Sequence, residues 1–187
     1  MGATILAFVA IAAASAGVLD RIAVTVGSDA ITEGEVLEEI RITSFLNDDP
    51  LDFSPEARRK AADRLVDQYL IRHELAGGGY TAPDPSHAEK VMADFVDKRF
   101  HGRTEYEQKL KRYGISEEEL KAHLLFQLQA IQFTDLRFAQ TQRNEADRAA
   151  TPVSDPPAAD KADQQLEDWL KQVRSQTRIE FKKEAFR

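Results

Sequence analysis

Residues 114–140 most constrain how this chain can fold, because they predict one long helix that is apolar on two sides. Ser116 and Glu119 have the spacing of a capping box, in which two side chains satisfy free backbone N–H groups at a helix start. At about 100° per residue, one stripe holds Leu120, Leu124, Leu128, Ile131 and Phe138, and a second holds Leu125, Phe126, Phe133 and Leu136. A surface helix needs only one apolar stripe, so this helix is predicted to lie at the centre with other helices packed around it.

The N-terminus predicts export. Residues 5–14 are apolar or small, and Ala14-Ser15-Ala16 has the small-residue pattern of a cleavage site. The first charged residue is Asp20, so the run is shorter than the roughly 20 residues that a spanning helix needs. We interpret residues 1–16 as a secretory signal peptide. No Lys or Arg precedes the run, and a misassigned start or a buried N-terminal helix is the alternative.

Composition excludes several classes of function. The net charge of −7 argues against nucleic-acid binding, which needs a basic surface. The absence of cysteine removes disulfides, thiolate nucleophiles and cysteine-type zinc sites together. No segment after the signal peptide is apolar enough to cross a membrane.

Local signals predict the other elements up to the long helix. Ile22–Val26 is β-branched and precedes a Gly-Ser-Asp turn, which is typical of a strand. Gly77-Gly78-Gly79 follows a helix pattern rather than a strand, so it predicts a helix end and not a phosphate loop. Helix starts are predicted at the capping box Thr32 with Glu35, at Ser54-Pro55, at Asp84-Pro85, and at the capping box Thr104 with Glu107.

After Gln140 the chain changes character. Residues 141–160 are polar, carry three prolines and predict a linker. Residues 161–176 predict another helix, with an apolar face that includes Trp169. Residues 177–182 alternate polar and apolar, as a half-buried strand does. Because a lone strand is unstable, we expect it to pair with Ile22–Val26 and so bring the two ends of the chain together.

These features resemble the SurA-type periplasmic chaperones. The resemblance rests on the opening at residues 19–32, a short strand, a turn and a capped helix with acidic residues, and on the run Leu-Val-Asp-Gln-Tyr-Leu-Ile at residues 65–71. The order of the later helices and the ending Leu136-Arg137-Phe138 are also similar. In that family a helical N-terminal domain is completed by a helix that returns from the C-terminus.

One difference from the family concerns activity. SurA-like proteins usually carry prolyl isomerase domains of the parvulin type between the long helix and the returning helix. Only residues 141–160 stand in that position here, which is too few for a domain. The resemblance therefore implies the chaperone part alone.

The predicted fold is mainly α: a multi-helix bundle similar to the SurA N-domain, built around one long central helix, with a small two-stranded sheet joining the N- and C-terminal segments. The predicted divisions are residues 1–16 as signal peptide, 17–140 as the helical domain, 141–160 as the linker and 161–187 as the segment that completes the domain. The resemblance implies a periplasmic location.

No catalytic set is evident. None of His73, His87, His101 and His123 has a recognisable metal-ligand spacing. The acidic run at residues 117–119 lies where the helix dipole favours negative charge, so a capping role is preferred over acid–base chemistry. With no nucleophile beside a base, we expect no enzyme, no cofactor and no metal.

Binding is the remaining class of function. Large apolar side chains exceed what one stripe per helix requires, and we predict that Phe45, Phe53, Phe126 and Phe133 contact clients. The alternative is that these residues belong to the core, with Leu166, Trp169 and Leu170 of the returning helix covering the second stripe. We expect an ATP-independent holdase for unfolded outer-membrane or secreted polypeptides. The alternative function is an adaptor that uses the same scaffold for one specific partner.

Overall fold

The computed structural model describes residues 20–80, 84–146 and 158–187, with the side chains of all of these except 85, 139–146 and 158–161. The predicted signal peptide lies outside the described residues. The described part is mainly helical, as predicted, with a small antiparallel sheet. Its elements are β1 (Ile22–Val26), β2 (Asp29–Thr32), α1 (Glu33–Asn47), α2 (Pro55–Gly77), α3 (Pro85–Arg99), α4 (Arg103–Tyr113), α5 (Glu117–Ala146), α6 (Ala158–Gln176), β3 (Ile179–Phe181) and a final 3-10 helix (Lys183–Phe186).

The sheet joins the two ends of the described chain, as predicted. Its strand order is β2-β1-β3, and β1 pairs antiparallel with β3 through Val24 opposite Phe181 and Val26 opposite Ile179. The final 3-10 helix adds Ala185 to a core cluster that includes β1, α1 and α2. The C-terminal segment therefore completes the N-terminal domain.

The prediction of two strands was wrong, because the sheet has three. Gly27 adopts a left-handed φ of 61°, which glycine tolerates without strain, and the turn there brings residues 29–32 back along β1. Thr32 is both the last residue of β2 and the N-cap of α1. The sequence signal for the helix cap therefore concealed the strand.

Three of the four predicted starts before the long helix are confirmed, and so is the start of the long helix itself. Thr32 and Glu35 form both hydrogen bonds of a capping box, and Ser116 and Glu119 do the same. Ser54 caps α2 and Asp84 caps α3, each followed by proline.

The predicted capping box of Thr104 and Glu107 does not form. The N-cap of helix α4 lies two residues earlier, at Gly102 with its φ of 140°, and makes no side-chain hydrogen bond to the helix. Glu107 instead accepts a hydrogen bond from Arg103.

Helix α5 lies between two groups of helices, as its apolar pattern predicted. Leu120 and Leu124 in its first half belong to a core cluster with residues of α1, α3 and α4. Phe126, Phe133 and Phe138 belong to another cluster, together with Ile71 of α2 and Trp169 of α6.

The two predicted stripes of α5 do not each remain buried along the whole helix. Ile131 is 60% exposed and Leu136 is 45% exposed. Different neighbours cover the two halves of the helix, so the buried side changes along its length.

The ends of the linker also differ from the prediction. Helix α5 continues past Gln140 to Ala146, and α6 begins at Ala158 rather than at residue 161. The proline-rich residues between them lie outside the described ranges. None of the helices in the described part of the chain is both long enough and apolar enough to cross a membrane.

A candidate binding groove between three helices

A groove of about 540 Å³ lies between α3, the start of α4 and the first turns of α5. Its floor contains Met92, Val96 and Phe100. These residues are spaced by four along and just beyond α3, so they form one row on one side of the helix. The exposed side chain of Ala93 lies beside them. The volume falls within the range of roughly 300–1,000 Å³ that is typical of ligand sites in proteins.

An aromatic layer supports the floor from behind. The ring of Phe100 lies nearly parallel to that of Phe45, with centroids 6.1 Å apart and 18° between the planes. Tyr106 of α4 meets Phe100 edge to face at 5.4 Å. Phe45 is fully buried, so it contributes to the groove by holding Phe100 in place.

Ion pairs stand on the walls of the groove. Lys121 of α5 lies 2.6 Å from Glu89 of α3. Arg103 of α4 lies 2.8 Å from Glu107 and 2.5 Å from Glu117. These bonds to carboxylates raise the pKa of the Arg103 guanidinium, so it stays charged. Exposed pairs of this kind are screened by solvent and contribute little to stability, so they can exchange partners easily.

Tyr106 of α4 is a buried titratable side chain that contacts Met92 of the floor. Burial, followed by the nearby charge of Glu117, raises the pKa of Tyr106 to about 12. Its hydroxyl donates to the sulfur of Met92 at 3.5 Å. A neutral, buried hydroxyl of this kind supports packing and is poorly suited to accept a proton at neutral pH.

The four predicted client-contact residues are not brought together at one exposed surface. Phe45 and Phe133 are fully buried, and Phe126 is 7% exposed. Phe53 is half-buried, with the guanidinium of Arg41 at 5.7 Å from its ring centre. The predicted client-contact surface is therefore corrected for Phe45, Phe126 and Phe133, because neighbouring helices cover them, whereas Phe53 stays partly exposed.

The returning helix covers Phe133, as the alternative prediction held. Trp169 of α6 lies on Phe133, with ring centroids 5.2 Å apart. Arg137 lies over both rings and pairs with Glu74 of α2. Phe126 is covered differently, by the guanidinium of Arg72 at 4.4 Å.

A buried polar network joins α1, α2 and α5. Glu39 is only 4% exposed, and its carboxylate accepts hydrogen bonds from Arg64 at 2.8 Å and Gln68 at 3.2 Å. Nδ1 of His123 lies 3.7 Å from the same carboxylate. Burial lowers the pKa of His123, and Glu39 acts in the opposite direction. Across residues 20–80, 84–146 and 158–187, no three His, Asp or Glu side chains are grouped so as to hold a metal ion.

The groove residues had a partial signal in the sequence. Met92, Val96 and Phe100 recur every four residues in the sequence, which is typical of one side of a helix. No local pattern indicated that a groove would form between this side of α3 and the neighbouring α4 and α5. The charged residues of the walls are far apart in sequence and meet only through packing.

The fold and the groove describe a mainly helical protein with an open site of apolar floor and charged walls. The sequence matches no model of a known protein family, and no curated protein matches it. The resemblance to SurA-type chaperones therefore remains a prediction from the residues themselves.

Proposed function

We propose that this protein is an exported, ATP-independent holdase that binds unfolded segments of outer-membrane or secreted proteins in the groove between α3, α4 and α5. The observation that carries the proposal is the groove itself, where the exposed Ala93, the half-buried Val96 and the edges of the buried Met92 and Phe100 are flanked by charged side chains. The resemblance to periplasmic chaperones and the predicted signal peptide support the same function.

The groove has properties that suit weakly specific binding. Its floor follows one side of α3 and ends at Phe100 just beyond the helix, so it offers apolar contact along a groove rather than in one deep pocket. Methionine adds an adaptable side chain, which is typical of surfaces that accept varied partners. Ion pairs on the walls can rearrange around a bound segment because they are exposed.

Aggregation of a chemically denatured client, followed by light scattering, tests the proposal. The wild-type protein should suppress aggregation at a few-fold molar excess without nucleotide. Ala93→Trp fills the groove from its exposed edge and should remove most of the suppression. Ala76→Trp places the same side chain on an exposed part of α2 and is the matched control. No suppression by the wild type would refute the holdase function, and equal suppression by both variants would refute the groove as its site.

An adaptor for one partner is the second candidate. It is favoured by the apolar side chains of Ile131 and Leu136, which stay exposed on α5. Pull-down from a periplasmic extract separates the two functions. A single stoichiometric partner that is lost in Ile131→Ser supports the adaptor, whereas a range of unfolded outer-membrane proteins supports the holdase.

A further inference from the structure

The charges around the groove are not balanced. Glu89, Glu107 and Glu117 are already paired with the two cations of the walls, Arg103 and Lys121. The groove also carries Asp97, which is exposed and lines the floor next to Val96. Among the described residues, no cation lies within ion-pair distance of the Asp97 carboxylate.

Asp97 lies next to the middle of the apolar row formed by Met92, Val96 and Phe100. Met92 and Phe100 are eight residues apart, so the row is about 12 Å long at 1.5 Å per residue. An extended chain advances about 3.3 Å per residue, so roughly four residues of a bound segment can lie along it. Asp97 follows Val96, and Val96 is the middle of the row. A charge near the centre of a bound segment therefore comes close to this carboxylate.

We propose that the groove selects segments in which an apolar or aromatic residue is close to a Lys or Arg, with Asp97 receiving the cation. This inference rests on the proposed function and adds a sequence preference to it. The apolar side chains of the segment lie on Met92, Val96 and Phe100. The cation of the segment pairs with the carboxylate that has no partner within the described protein.

The preference is expected to be modest. Exposed ion pairs contribute roughly 0.2–1 kcal/mol, which corresponds to a factor of about 1.4–5 in affinity. Salt screens exposed charges, with a Debye length of about 10 Å at 0.1 M and about 3 Å at 1 M. The preference should therefore disappear in concentrated salt, while the apolar contribution remains.

Fluorescence anisotropy with three labelled peptides tests the inference. The peptides consist of alanine, leucine and one phenylalanine, and differ at one position near the phenylalanine that holds Lys, Gln or Glu. The expected order of affinity is Lys, then Gln, then Glu, with a factor of about 1.4–5 for each step at low salt. Asp97→Asn should bring the Lys peptide to the affinity of the Gln peptide and leave the Gln peptide unchanged. Asp94→Asn removes a charge from the same helix outside the groove and should change neither peptide.

The outcomes separate the inference from the function it rests on. Equal binding of the Lys and Gln peptides by the wild type overturns the inference and leaves the holdase proposal standing. Lys preference that persists in Asp97→Asn also overturns it, because another group would then receive the cation. Failure to bind any of the peptides, together with failure to suppress aggregation, overturns both.

Discussion

Trp169 of the returning helix lies against Phe133 of the long helix, with ring centroids 5.2 Å apart and planes inclined at 59°. Both side chains are buried, and Phe133 also meets Tyr80 at 5.4 Å and Phe138 at 6.1 Å. One aromatic cluster thus joins α6 to the body of the fold. The C-terminal segment is part of the core and not an appended tail.

Trp169→Ala should destabilise the fold by about 3–5 kcal/mol, because it removes a large buried side chain and leaves a cavity beside Phe133. Urea unfolding followed by circular dichroism measures the change. Glu167→Ala on the exposed side of α6 is the control and should lie within about 0.5 kcal/mol of the wild type. An unchanged midpoint for Trp169→Ala would show that α6 does not dock in solution.

Arg174 makes a second connection from α6 to α2. It donates to the carboxylate of Asp67 at 2.6 Å and to the backbone carbonyl of Asp63 at 2.7 Å. Lysine cannot reproduce this fork of donors, so Arg174→Lys should cost about 1 kcal/mol even though the charge is kept. Arg178→Lys changes an exposed arginine on the same segment and should be nearly neutral. Equal midpoints for the two variants in thermal unfolding would contradict the structural role of Arg174.

Gly34 has a positional role near the start of α1. The carboxylate of Asp20 accepts a hydrogen bond from the Gly34 N–H at 3.1 Å, and a Cβ at position 34 would make the exposed Asp20 side chain turn away and give up this hydrogen bond. A glycine-to-alanine substitution within a helix normally stabilises the folded state by up to about 1 kcal/mol. In the wild-type background, Gly34→Ala should therefore not give this stabilisation. In the Asp20→Ala background, the same substitution should stabilise the fold. Urea unfolding of the four proteins gives the coupling energy directly, and additive effects would contradict the predicted loss of this hydrogen bond.

His123 should make stability depend on pH. Burial lowers the pKa of folded His123 below its ordinary value of 6.5, although Glu39 opposes the shift and Arg64 and Arg72 reinforce it. The unfolded chain therefore binds a proton at a higher pH than the folded chain. The stability that comes from the neutral imidazole is complete above about pH 6.5 and is lost as the pH falls below that value.

His123→Gln should remove this part of the pH dependence. Glu38 titrates in the opposite sense, because burial and the charge of Glu119 raise its pKa and favour its protonated form in the folded state. The informative quantity is therefore the difference between wild type and variant. Between about pH 7.5 and about pH 5.5, the wild type should lose more free energy of unfolding than His123→Gln does. His87→Gln, on an exposed part of α3, is the control, and equal losses in all three proteins would rule out a contribution from His123.

Much of the fold could be predicted from the sequence where the signal was local. The capping boxes at Thr32 and Ser116 depend on hydrogen bonds between residues three apart, so their spacing was sufficient. The pairing of β1 with β3 was predicted because a lone strand at each end needed a partner. The strand β2 was missed because its residues also carry the signals of a turn and of a helix cap.

The site was predicted less well than the fold. Phe45 and Phe133 were expected at a surface because the chain has more large apolar side chains than one apolar stripe per helix requires. Both are instead buried against helices that are distant in sequence. Ile131 was expected to be buried and is exposed, because burial on α5 depends on which neighbour lies alongside each turn. Periodicity gives the direction of a side chain from the helix axis and not the identity of what covers it.

The sequence by itself determined where α1, α2, α3 and α5 begin and that the long helix would be apolar on two sides, since these follow from hydrogen bonds and periodicities within a few residues. Only the tertiary structure decided which apolar side chains became core and which lined the groove. Met92 and Phe100 belong to the core and also line the groove between α3, α4 and α5, where Arg103 of α4 pairs with Glu117 of α5. Such gaps depend on the packing of whole helices, and that packing is a property of many distant residues together.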